Sequence, residues 1–257
     1  MPPLFGAEFA CALPGTIPMS EILKIIQERH SARSAFDPQR PVRKEDLLQI
    51  LEAGRWAPTA HNMQNFEIVV VDDPELLTTI GKIKFQISKT FIRENYQQLS
   101  FSPKELLAKK TGILAAMFPR SWWTTPGANL DHVAIPLSRT IQGSPALLIV
   151  LYDTKKRAPA SKGDVLGMMS LGCMMENMWI MAQSLNIGFH VMSVFSATAV
   201  EHKLKGLLNI PKRLKIAFAC RLGYPVPARG RYIRVRRDVE DFTHYNRFGN
   251  KGLPWLD

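Results

Sequence analysis

What this chain lacks narrows its chemistry first. No Gly-x-Gly-x-x-Gly follows a strand-like run and no Gly-x-x-x-x-Gly-Lys loop occurs, which disfavours a Rossmann dinucleotide site or a P-loop. No His-Glu-x-x-His or Gly-x-Ser-x-Gly is present, and the six histidines are scattered without ligand spacing, so no metal site and no serine hydrolase is expected. Cysteine is scarce. Cys11, Cys173 and Cys220 cannot all pair and none stands in a CxxC spacing; Cys173 and Cys220 read as small buried side chains in a reducing cytoplasm. No 18-residue uncharged apolar stretch marks a membrane span, and the first twenty residues, with Glu8 and four prolines, lack the pattern of a secretory signal.

Acidic residues are also few. There are 22 against 33 basic ones, giving a net charge of +11. That balance raises nucleic-acid binding, yet the arginines are dispersed. The densest run, 229–237, alternates with Tyr232, Ile233 and Val235, and no helix-turn-helix, zinc-finger or RNA-recognition pattern accompanies it. Specific nucleic-acid binding is therefore not expected, and an anionic ligand such as a phosphate or a nicotinamide dinucleotide explains the charge as well.

What is present suits one compact domain. The 257 residues are 46% hydrophobic and 21% charged. Ser20 can cap a helix over 21–30 with Ile22, Leu23, Ile25 and Ile26 on one face, and helical spacing recurs from 44 to 56 until Pro58. Residues 66–71 read as a buried strand bounded by Asp72-Asp73-Pro74, with 147–151 as its sheet companion. Ser102-Pro103-Lys104-Glu105 starts a helix. Residues 164–185 form a helix apolar nearly all round, which must be buried on most faces, and a second subunit is the simplest cover. Then come a strand over 189–195, a capping box from Thr198 and Glu201, and a buried strand over 214–222. The turn Gly223-Tyr224-Pro225 leads into an extended C-terminal arm with Phe242, His244, Tyr245, Phe248 and Trp255.

The chemically suggestive residues lie in two short segments. Arg29-His30-Ser31-Ala32-Arg33 offers two guanidinium groups and a hydroxyl to a phosphate, although basic residues at a helix C-terminus are favourable by themselves. About 30 residues later Pro58-Thr59-Ala60-His61-Asn62-Met63-Gln64-Asn65 supplies amide side chains that suit a flat heterocycle, or that simply form a turn.

Taken together these segments resemble the nitroreductase family of FMN-dependent oxidoreductases. The resemblance is carried by RHSAR, by LLQILEAGRWAPTAHNMQNFEIVVV, by LGCMMENMWIMAQSLNIGFH, by ACRLGYP and by RVRRDVEDFTHYNRF, across about 21–80 and 144–248. It implies an α+β fold with a central mixed, mostly antiparallel sheet flanked by helices, forming one domain over 1–257. Within that domain 1–19 would be an N-terminal extension and 82–143 a lid-type insertion. It also implies a homodimer with FMN at the subunit interface and NADH or NADPH as electron donor. Arg29, His30, Ser31 and Arg33 would hold the phosphate, ribityl chain and pyrimidine side. Pro58, Thr59, Ala60, Asn62 and Gln64 would line the ring from the other subunit. Met192, Ser193 and Val194, on a strand, would supply backbone N–H groups, and Arg234 and Arg236 would return to the phosphate.

The flavin would carry the chemistry, so no catalytic side chain is named. Phe118, Trp122 and Trp123 fall in the lid region, where substrate choice is expected to reside. Asn65 departs from the family turn and adds a polar group near the site. The expected activity is ping-pong reduction of a small electron-poor acceptor, nitroaromatic or quinone-like. The alternatives are a reductive dehalogenase or flavin-cleaving synthase on the same fold, or a non-enzymatic basic dimer that binds flavin or nucleic acid.

Overall fold

The computed structural model describes residues 19–87, 91, 103–108, 134–159, 161, 163–226 and 235–251. In chain order the described elements are α1 (Met19–Glu28), α2 (Lys44–Arg55), β1 (Phe66–Val71), α3 (Pro74–Gly81), β2 (Lys84–Gln86), α4 (Pro103–Ala108), β3 (Ala134–Pro136), α5 (Ser138–Ile141), β4 (Ala146–Asp153), α6 (Val165–Ser184), β5 (Gly188–Met192), α7 (Thr198–Leu207), β6 (Leu214–Gly223) and α8 (Val239–Phe242). They fall into two compact units. One comprises Met1–Ile80 and Thr140–Val226, the other Gly81–Arg139 and Pro227–Asp257.

The first unit is built on a four-stranded sheet in the order β1-β4-β6-β5, antiparallel throughout. Ala146–Leu151 of β4 is at most 2% exposed, so this central strand is covered on both faces and reads as a continuous apolar run. Its pairing with β1, from Phe66↔Tyr152 to Val71↔Leu147, joins the two segments that the sequence marks as companions. At the β5 edge a parallel bridge, Ser31↔Phe189, adds the segment after α1 to the sheet.

Helix α6 packs on α2, α1 and β5, burying Leu171, Met174, Met178 and Ala182. Gly54 lets α2 approach closely, because a Cβ there would stand 3.0 Å from Met178 Cγ. Only about a third of α6 is buried within the chain, and Val165, Leu166, Met168 and Met169 are exposed, as are Ile22, Leu23 and Ile26 of α1. By length and composition α6 is the one helix among the described residues apolar enough to cross a membrane. Its buried face and Glu176 belong to the core and ion pairs of this unit.

Several local expectations are corrected. Cys220 is buried, but Cys173 is exposed, on the face of α6 that this chain leaves uncovered. The strand predicted over 189–195 stops at Met192, and Ser193–Ser196 is a 3₁₀ turn. Ser20 lies inside α1. Thr198 is the first residue of α7 and makes no cap; Glu201 instead accepts from the Ile216 N–H at 3.0 Å and pairs with Lys205. Helix α3 is not among the expected elements: Asp73, read only as part of the boundary of the 66–71 strand, accepts the Leu76 N–H, and Pro74 begins the helix.

The second unit contains the antiparallel β2–β3 pair, Lys84↔Pro136 to Gln86↔Ala134. Here the predicted arm includes α8, whose start is closed by reciprocal bonds between Asp238 and Asp241. Phe248 is 93% exposed and stacks on His244. Ser102 and Trp255 lie outside the described residues.

Candidate functional site

Two parts of the first unit carry the predicted residues, and both are fastened to α6. The first is the segment following α1. Arg29 Nε lies 2.8 Å from Glu176 Oε1, and its guanidinium sits 4.2 Å above the Trp179 ring. The indole N–H of Trp179 donates to the His30 carbonyl at 3.2 Å, while its ring stacks on Phe189 of β5. The Ala32 N–H donates to the Phe189 carbonyl at 3.0 Å. Ser31 and Arg33 thus flank a buried Ala32 on an extended stretch, where alternate side chains take opposite faces.

Behind this stretch stands a residue that sequence reasoning passed over. Arg221, on β6, is fully buried. Its Nε–H donates to His190 Nδ1 at 3.1 Å, which places the imidazole proton on Nε2. Its other donors go to the carbonyls of Ile141, Ala32 and Ser34 at 2.8–2.9 Å. Burial, then the charge of Arg33, lowers the Arg221 pKa to about 10; burial, then Arg221 and Arg33, lowers that of His190 to about 3. His190 is therefore neutral. Two guanidinium groups, Arg33 and the buried Arg221, thus bear on the same corner of the unit, and cationic groups so placed favour an anion nearby. The signal was present in the sequence: ACRLGYP places a charge inside an otherwise apolar strand, and a charge in such a place requires partners.

The second part is the amide turn after α2. Ala60–Asn62 is a single 3₁₀ turn in which His61 and Asn62 have φ of 52°, followed by Gln64 at 44°. Three non-glycine residues in the left-handed region within four positions hold strain, and such strain persists where surrounding bonds over-determine it. Those bonds are present. The Ala60 N–H donates to Ser170 Oγ of α6 at 3.1 Å, and the Gln64 N–H donates to Thr59 Oγ1 at 3.2 Å. The Gln64 side-chain amide donates to Asn62 Oδ1 at 3.0 Å. Pro58, Asn62 and Gln64 are exposed. Asn65, expected to add a polar group near the site, is buried, and among the described residues its Oδ1 has no hydrogen-bond partner.

The two parts attach to α6 at Ser170 and at Glu176, six residues apart, or about 9 Å along the helix axis. Met192 ends β5 and is buried, while Ser193 is exposed and Val194 half-buried in the turn that follows. Arg236 belongs to the second unit, where its Nη1 donates to the Val235 carbonyl at 2.8 Å. Phe118, Trp122, Trp123 and Arg234 lie outside the described residues.

The donor set fits a flavin mononucleotide. Half-buried guanidinium and hydroxyl groups beside a positive interior suit a phosphate, and a rigid pair of exposed amides suits a ring edge with alternating donors and acceptors.

Comparison with known proteins places the chain among flavoenzyme-like sequences and folds only at the level of family and architecture. Over 88 residues the chain is 28% identical to a Staphylococcus aureus protein provisionally named an NAD(P)H nitroreductase, covering 34% of this chain and 39% of that one. Over 80 residues it is 31% identical to the CLA biosynthesis enone reductase of Lactiplantibacillus plantarum, covering 31% and 33%. These alignments span well under half the length of either relative. A nitroreductase structure with bound FMN from Bacteroides fragilis shares the fold at a TM-score of 0.55 and 20% identity, covering 88% of this chain and 98% of that one. The nitroreductase family model matches residues 26–224, most of the described first unit included, and the chain belongs to the nitroreductase family.

Proposed function

We propose that this protein is an FMN-dependent oxidoreductase that takes reducing equivalents from NADH or NADPH and passes them to a small electron-poor acceptor, nitroaromatic or quinone-like, by a ping-pong mechanism. The observation that carries the reading is the anchoring of the segment after α1, by Arg29 to Glu176 of α6 and by Ser31 to the β5 edge, beside the buried Arg221, in a chain of this family. FMN supplies the two-electron chemistry when bound. The residues named here bind and orient: Arg29, Ser31 and Arg33 toward the phosphate, with His30 beside them; Pro58, Thr59, Ala60, Asn62 and Gln64 toward the ring; and the backbone of Met192, Ser193 and Val194 toward its reactive edge. Arg234 and Arg236 add charge for the phosphate, and Phe118, Trp122 and Trp123 set acceptor preference within a lid formed by 82–143.

The working form is a cytoplasmic homodimer made of one domain per chain. The exposed apolar residues of α1 and α6 support this, since exposed large apolar surface marks an interface. In such a dimer the amide turn of one subunit serves the phosphate segment of its partner. The test is the absorbance spectrum of freshly purified protein, followed by anaerobic mixing with NADH and NADPH separately. Yellow protein that is bleached by either donor is the expected result. Colourless protein that takes up no FMN, with steeply salt-dependent DNA binding, overturns the proposal.

A further inference from the structure

A buried charge without a counter-charge lies directly behind the segment that the previous subsection assigns to the phosphate. Among the described residues every acceptor around Arg221 is neutral: three main-chain carbonyls and one imidazole nitrogen. The Phe36 ring closes the remaining side at 4.6 Å. Among the described residues no carboxylate pairs with it, and the charge that bears on it, Arg33, has the same sign. A guanidinium kept in such a place at the expense of its hydration requires a reason beyond packing.

The geometry of its bonds supplies one. The carbonyls of Ala32 and Ser34 both point inward to Nη2. A peptide is planar and trans, so fixing those two oxygens turns the N–H groups of Arg33 and Ala35 the opposite way, away from the guanidinium. The same fork ties this segment to the carbonyl of Ile141, the last residue of α5, and to His190 on β5, locking it against the sheet. A planar fork with five donors can do this; an ammonium cannot.

We propose that Arg221 is a positioning residue for the phosphate end of the cofactor site: it holds the backbone of 32–35 so that Ser31 and Arg33 face the ligand, and its unpaired charge adds to the attraction for the anion. This rests on the FMN reading above. Because the role is specific to the phosphate, it separates FMN from riboflavin, which has the same ring and ribityl chain without the anion.

The test titrates the full-length protein, stripped of flavin, with FMN and with riboflavin, comparing wild type with Arg221→Lys and Arg221→Met. The expected result is a loss of FMN affinity of about tenfold or more in Arg221→Met, with Arg221→Lys between it and wild type, and riboflavin affinity within about twofold throughout. Circular dichroism establishes that each variant is folded; if the Met variant is not, the Lys variant carries the comparison. Parallel loss of both ligands, or unchanged FMN affinity, overturns the inference and reduces Arg221 to a structural rivet. Wild-type protein that binds FMN no tighter than riboflavin overturns the cofactor reading itself, and this inference with it.

Discussion

Replacing Gly188 with alanine probes the junction on which the site is built. Gly188 is the first residue of β5 and precedes Phe189, whose carbonyl receives the Ala32 N–H. An added Cβ would stand 2.6 Å from Phe36 Cε1, 2.7 Å from Pro225 Cγ and 3.0 Å from Ala32 Cβ. Neither of the two closest groups can yield easily. Phe36 is 1% exposed and packed against Arg221, and a pyrrolidine ring has little freedom. Overpacking of this kind costs typically about 1–3 kcal/mol, and two contacts below 3 Å with stiff partners place it at about 3. For a protein of this size that corresponds to a fall in Tm of about 6–12 °C. Thermal unfolding by circular dichroism reads the change directly. The source of the strain is tested by a cycle with Phe36→Leu, which withdraws the offending ring atom: Gly188→Ala should cost about 1 kcal/mol less in that background. A Tm within about 2 °C of wild type, or strictly additive effects, would show that the β5 start is not packed as described.

The depressed pKa of His190 gives a pH dependence of definite sign. Its folded value of about 3 lies below the ordinary 6.5, so the unfolded chain binds the extra proton first and stability falls as pH drops from about 6.5 toward 3. Between pH 7 and pH 5 this contributes about 2 kcal/mol of destabilisation, and in urea titrations at the two pH values His190→Gln should lose that share of the difference. Arg29 and Glu176 should show a coupling of about 1 kcal/mol in a double-mutant cycle followed by thermal melts, since the pair is only partly screened; zero coupling would make it a surface contact. Asn62→Gly removes an exposed partner of Gln64 while tolerating the left-handed backbone there, so Tm should stay within about 2 °C of wild type while flavin affinity falls; unchanged flavin affinity would remove the turn from the site.

How much of this was legible in the sequence depends on whether the signal is local. The β1 and β4 runs are apolar and β-branched over short bounded stretches, and both were recognised as paired strands. Helix α6 was legible from its methionines and its terminal turn. The end of β5 differs from expectation because Val194 and Phe195 continue the largely apolar run into the 3₁₀ turn, and hydrophobicity alone does not record where the ladder of hydrogen bonds stops. Thr198 and Glu201 have capping-box spacing, but tertiary structure recruits Glu201 to the Ile216 N–H, and a bond across 15 residues leaves no trace in a four-residue pattern.

By itself the sequence determined the two chemical segments, the excess of basic groups and the family to which they belong, because residue type and spacing along one chain carry that information. Only the tertiary structure decided that Arg29 pairs with Glu176, that the amide turn hangs on Ser170, and that Arg221 lies behind Ala32 and Ser34. Those contacts join positions 110 to 189 residues apart, and their bonds form only once the sheet has brought distant backbone together and excluded water from between them.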